Sequence, residues 1–96
     1  GLKGRIYYKW KYPDVAAKEG QAGMLHIDFT IRNDGILENI ALVKSSGYPM
    51  LDDAALSAVR LAAPFYPFPK GFGSLENITI NASFEYILED YIGMRR

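Results

Sequence analysis

From Met24 the chain alternates, with Leu25, Ile27, Phe29 and Ile31 on one side and His26, Asp28, Thr30 and Arg32 on the other. A period of two is that of a strand with one buried face. Asn33-Asp34-Gly35 follows, and Asp-Gly accepts the positive φ angles of a two-residue hairpin loop. The next strand, Ile36 to Lys44, therefore runs antiparallel. Leu37 is out of phase with Ile40 and Leu42, which predicts a bulge. Ser45-Ser46-Gly47 ends that strand. Pro49, Asp52 and Asp53 then open a helix whose apolar stripe is Leu51, Ala55, Leu56, Val59 and Ala62, closed by Pro64. Rings, prolines and glycines between Phe65 and Gly73 predict a loop whose aromatic groups plug the edge of a core.

The last element alternates for longest. Ile78, Ile80, Ala82, Phe84, Tyr86 and Leu88 interleave with Thr79, Asn81, Ser83, Glu85, Ile87 and Glu89, which predicts one long strand. At about 3.3 Å per residue it reaches roughly 40 Å, against about 20 Å for the Met50 to Ala62 helix, so part of it projects beyond its cover. At the other end, Arg5 to Tyr12 fits either period: Ile6, Tyr8, Trp10 and Tyr12 alternate, while Leu2, Ile6 and Trp10 recur at helical spacing, and the helical reading is slightly preferred. Tyr12-Pro13 resets the backbone before a short helix, Pro13 to Glu19, which Gly20 and Gly23 terminate.

A helical crossover returns the last strand parallel to the second, so antiparallel pairing places it beside the first. The expected fold is α+β: two main helices packed on one face of a three-stranded antiparallel sheet, in the order second, first, last, with the long last strand at the edge. Such an edge offers unpaired N–H and C=O groups to an extended peptide. Glu85 and Glu89 could instead be charges that guard it, and Ile87 among them is a candidate contact for a guest side chain. Four to six ladder bonds at about 0.5 to 1.5 kcal/mol each give about 2 to 9 kcal/mol. Association costs at least about 4 kcal/mol, so side-chain contacts must add to the pairing.

Composition narrows the partners. The 96 residues suit one core, and eleven basic residues balance eleven acidic ones, so no global field attracts nucleic acid or an anionic membrane. Cysteine is absent, which removes disulfides and thiolate metal sites. No apolar run approaches the roughly 20 residues that span a bilayer. The chain opens at Gly1 without a signal segment, so a targeting region upstream is expected. His26 is the single histidine, Ser45 and Ser46 read as turn residues, and the carboxylate pairs Asp52-Asp53 and Glu89-Asp90 lack acid/base geometry, so no enzyme is expected. There is no P-loop, GxGxxG or two-histidine motif, and no cofactor is expected. A sheet-based RNA reader is the runner-up, disfavoured because the strand aromatics Phe29, Phe84 and Tyr86 take the inward register.

Taken together and in order, several short motifs resemble the TonB C-terminal domain family. They are Tyr12-Pro13 with Ala16, Ala17, Gly20 and Gly23; Phe29, Ile31, Asp34 and Gly35; Ser45-Ser46-Gly47; Leu51-Asp52; Ala54-Ala55-Leu56; and Pro67 with Pro69. The resemblance implies residues 12–90 as the domain, 1–11 as an N-terminal extension and 91–96 as a tail. It also implies a periplasmic location, with an inner-membrane anchor and motor-protein contacts in a region upstream of this chain. The partner it implies is the TonB-box segment of an outer-membrane transporter, paired along Ser83, Phe84, Glu85, Tyr86, Ile87, Leu88 and Glu89, with Lys11, Tyr12 and Pro13 as further contacts. Pairing with a second copy at the same edge is a further expectation, as are other envelope or secretion-system partners; nucleic acid is not expected.

Overall fold

The computed structural model describes residues 2–69 and 73–89, with side chains from residue 4 onward. The order is α1 (Leu2–Lys9), α2 (Asp14–Lys18), β1 (Gly23–Arg32), β2 (Leu37–Lys44), α3 (Pro49–Ala62) and β3 (Asn77–Tyr86). The strands form one antiparallel sheet in the order β2-β1-β3, as the connectivity predicts. Asp90 and the tail 91–96 lie outside the described residues.

β1 is central, and its alternation sets the layers. Leu25, Ile27, Phe29 and Ile31 are at most 2% exposed and face the helices. Leu51, Ala55, Ala58, Val59 and Ala62 of α3 close over them, and Ile6 of α1 and Ala16 of α2 complete the cover. The opposite face of the sheet is polar. There Thr30 meets Thr79 at 2.9 Å, Asn81 donates to Asp28 at 2.5 Å, and His26 and Ser83 lie 2.7 Å apart.

Several boundaries differ from those the sequence suggests. The first helix covers Leu2–Lys9 rather than Arg5 to Tyr12, and closes with the Trp10 N–H on the Ile6 carbonyl at 3.0 Å. The hairpin loop holds three residues, because Arg32 N–H bonds the Ile36 carbonyl at 2.9 Å and only Gly35, at φ 91°, has positive φ. A three-residue loop with glycine in the left-handed position is the next commonest hairpin after the two-residue form. The bulge expected in β2 is present twice, opposite the His26/Ile27 and Thr30/Ile31 steps, and the second accounts for the displaced phase of Leu37. In the exit loop Phe65 is buried and stacks on Phe29 at 6.1 Å, the plugging role expected of that segment.

Among the described residues Asp52 is the buried acid, 4% exposed in the first turn of α3. Its carboxylate accepts from the Ser45 hydroxyl, from the Ser46 N–H at 2.9 Å and from the Ser46 hydroxyl at 2.7 Å, so it ties the turn after β2 to the helix that follows. Burial alone would raise its pKa. The Ser45 hydroxyl and both Ser46 donors outweigh burial and hold it below the ordinary value. A depressed folded-state pKa means that this stabilisation is complete above the unfolded-state value and is lost as pH falls through the folded one. Asp52→Asn keeps one acceptor and removes the charge, so we expect a loss of about 1 to 2 kcal/mol in urea unfolding at neutral pH. The gap between variant and parent should begin to narrow as pH falls below the ordinary carboxylate value of about 3.9, where the unfolded parent takes up a proton, and should go on narrowing until pH has passed the lowered folded-state value. A gap independent of pH would show that the charge contributes nothing.

Candidate functional site: the open edge of β3

In an antiparallel ladder both main-chain groups of a residue point to the same side, and the side alternates along the strand. The Asn33 N–H bonds the Glu76 carbonyl at 2.8 Å. The β1–β3 register continues from that pair without a shift, through Ile31↔Ile78, Phe29↔Ile80, Ile27↔Ala82, Leu25↔Phe84 and Gly23↔Tyr86. Ile78, Ile80, Ala82, Phe84 and Tyr86 therefore spend their main-chain groups on β1. Those of Thr79, Asn81, Ser83 and Glu85 point away from the sheet, toward a flank that no described strand occupies.

Rings hold the C-terminal half of this strand from the helix side. Trp10 packs edge-on against Phe84, with centroids 5.4 Å apart, and against Tyr86 at 5.0 Å; Tyr12 meets the same Tyr86 ring at 4.9 Å. Edge-to-face geometry at these separations is favourable beyond simple burial. The Tyr86 hydroxyl points to the Lys11 carbonyl at 3.4 Å, and the Tyr12 hydroxyl donates to the Gln21 carbonyl. Burial pushes the Tyr86 phenol up to about 12, with the Trp10 N–H partly opposing and the Tyr12 and Asp52 charges adding to it. The phenol thus stays neutral at physiological pH.

α1 stands beside the edge. The Arg5 guanidinium donates to the Ala62 carbonyl at 3.2 and 3.1 Å and to the Pro64 carbonyl at 3.0 Å, and lies 5.2 Å from the Tyr66 ring centre. A cation bonded to the last carbonyls of a helix is a favourable terminus, and here it fixes α1 against α3. Between α1 and β3 runs a groove of about 460 Å³.

The expected site residues divide into groups. Ser83 and Glu85 have main-chain groups on the open edge, while Phe84 and Tyr86 are turned into the core. Ile87 lies just past the strand, and Leu88 and Glu89 lie in a helical turn, which corrects the expectation of a strand running to Glu89. The reason is the partner: β1 begins at Gly23, opposite Tyr86, and beyond it no ladder exists to continue β3. Lys11, Tyr12 and Pro13 are brought to that same end of β3, where Pro13 also caps α2. Thr79 and Asn81 belong to the edge and were not singled out from the sequence. Neither were Ile6 and Tyr7, which line the groove with Trp10. Among the described residues no group of three or more His, Asp or Glu side chains could hold a metal ion. No described helix is long and apolar enough to cross a membrane.

A small helix-covered antiparallel sheet with an edge that no described strand occupies defines a fold suited to capturing extended chain segments. Residues 8–88 match the family described as Gram-negative bacterial TonB protein C-terminal, and the chain belongs to that family. It is similar to protein TonB of Pasteurella multocida, 35% identical over 80 residues, which cover 83% of this chain and 31% of that protein. The chain thus spans under a third of that relative. The solution structure of the Helicobacter pylori TonB C-terminal domain superposes with a TM-score of 0.74 at 32% identity, covering 88% of this chain and 75% of that one. A structure of TolAIII bound to a peptide derived from the N-terminus of TolB is alike in fold, with a TM-score of 0.62 at 23% identity over 90% of this chain and 69% of that one.

Proposed function

We propose that this domain is the periplasmic, partner-binding end of a TonB-type energy transducer, and that it binds rather than catalyses. The partner is the TonB-box segment of an outer-membrane transporter, added as a strand beside β3. Inner-membrane motor proteins engage a part of the full protein that this chain does not include. The observation that carries the proposal is the outward set of main-chain groups on Thr79, Asn81, Ser83 and Glu85, in a chain that belongs to the TonB C-terminal family. Lys11, Tyr12 and Pro13, gathered at the end of the strand, are the second contact.

An amide NMR titration with an acetylated TonB-box peptide tests this. The largest shifts are expected at the amides of Thr79, Asn81, Ser83 and Glu85, which gain acceptors, with smaller ones at Phe84 and Tyr86. Shifts confined to β2 or α3 would overturn it. The same open edge suits a second copy of the chain, so self-association and peptide capture should compete. Sedimentation with and without the peptide reads this directly: a dimer that the peptide does not dissociate uses another surface.

A further inference from the structure

Building on the edge-pairing reading, the geometry points to α1 as a selectivity wall, which admits guest strands carrying uncharged aliphatic side chains on the helix-facing side. The cover over the sheet thins toward β3. Leu25, Ile27, Phe29 and Ile31 of β1 are sealed, yet Ile78, Ile80 and Ala82, beside them on the same face, are only partly buried. What lies over them is the groove, bounded by Ile6, Tyr7 and Trp10 of the α1 segment and floored by Ile80, Ala82 and Phe84. Ala82 is the small residue between two large ones, so it leaves a notch in that floor.

A strand added to β3 lies about 4.8 Å away, and residues paired directly across the ladder share a face. The guest residues opposite Ile80, Ala82 and Phe84 therefore project toward α1, and the one opposite Ala82 meets the notch. None of the residues lining the groove carries a charge. An ionised guest side chain there would be desolvated without a partner, whereas an aliphatic one would replace water on Tyr7 and Ile80. The alternate guest residues lie beside Asn81, Ser83 and Glu85 on the solvent face and are free to be polar. Main-chain pairing is blind to guest sequence, so this apolar wall supplies both the missing affinity and the choice of partner.

Trp10 is the one tryptophan and borders the groove, so its fluorescence reports occupancy. The probes are acetylated TonB-box heptapeptides with valine, alanine or aspartate at each position in turn. With the parent domain, changing valine to alanine at helix-facing positions is expected to weaken binding about tenfold, the effect of two buried carbon atoms. Aspartate at those positions should weaken it about a hundredfold or more, and the same changes at intervening positions about twofold or less. Ala82→Leu fills the notch and should penalise the valine peptide more than the alanine peptide. Equal sensitivity at both sets of positions, while Ser83→Pro still abolishes binding, would overturn the wall and leave edge pairing intact. If no peptide shifts the β3 amides, edge pairing itself fails. Should Ala82→Leu not fold, the peptide series with the parent domain decides the matter alone.

Discussion

Ser83→Pro is expected to abolish capture of a TonB-box peptide while the domain stays folded, and Ala82→Pro, one residue away, is expected to unfold it. The two positions are chain neighbours whose main-chain groups point to opposite flanks of β3. Ala82 pairs with Ile27 of the central strand, so its N–H is a rung of the ladder that holds the sheet together. Proline there removes the rung and sets its ring against β1, at about 3 kcal/mol or more. That is a large share of the 5 to 15 kcal/mol, roughly, that stabilises a small domain. The Ser83 N–H points to the open flank, where proline removes a donor that no described strand takes up, and edge strands tolerate it. Ser83→Pro also deletes the 2.7 Å contact between the serine hydroxyl and His26 Nδ1, so Ser83→Ala is the control that keeps the donor and loses the contact. Circular dichroism reports the fold and an amide titration reports the binding. If Ser83→Pro unfolds the domain and Ala82→Pro does not, the alternation derived from the Asn33–Glu76 bond is inverted, and the docking edge with it.

The topology was legible because β1 buries one face only. Leu25, Ile27, Phe29 and Ile31 fix its register, and the connectivity then leaves one antiparallel place for β3. The end of β3 was not legible. Leu88 and Glu89 continue the alternation but lie in a helical turn, since side-chain pattern records a face while a strand also needs a neighbour to bond. Which residues offer free main-chain groups was hidden for a related reason: alternation separates inward from outward side chains, and only the ladder assigns the N–H and C=O groups to a flank. Asp52 was readable as a helix-start acid, but not as the buried acceptor of three donors. Those donors come from the turn before the helix, and their convergence depends on how β2 and α3 meet. The groove wall was illegible, because Arg5, which fixes α1, bonds carbonyls 57 and 59 residues away.

Gly35→Ala, at a buried position of the hairpin loop, is expected to cost about 4 kcal/mol, from two sources of comparable size. At φ 91° an alanine would hold a backbone conformation that L residues rarely adopt. Its Cβ would also stand 1.9 Å from the Phe65 carbonyl oxygen and 2.8 Å from the carbonyl carbon, and both are backbone atoms that cannot rotate aside. Relief requires moving the loop that donates the Phe65 N–H to the Gly35 carbonyl at 2.7 Å and the Phe68 N–H to the Asn33 carbonyl at 2.9 Å. The same loop carries Phe65 over Phe29, so the strain propagates into the core. Gly47, at φ 95°, supplies the comparison: a Cβ there meets nothing within 4 Å, so Gly47→Ala should carry the conformational cost alone, about 1 to 2 kcal/mol. Parallel urea titrations of the two variants separate the terms. Equal losses would mean that the exit loop yields freely, and that the hairpin does not anchor the segment leading back to β3.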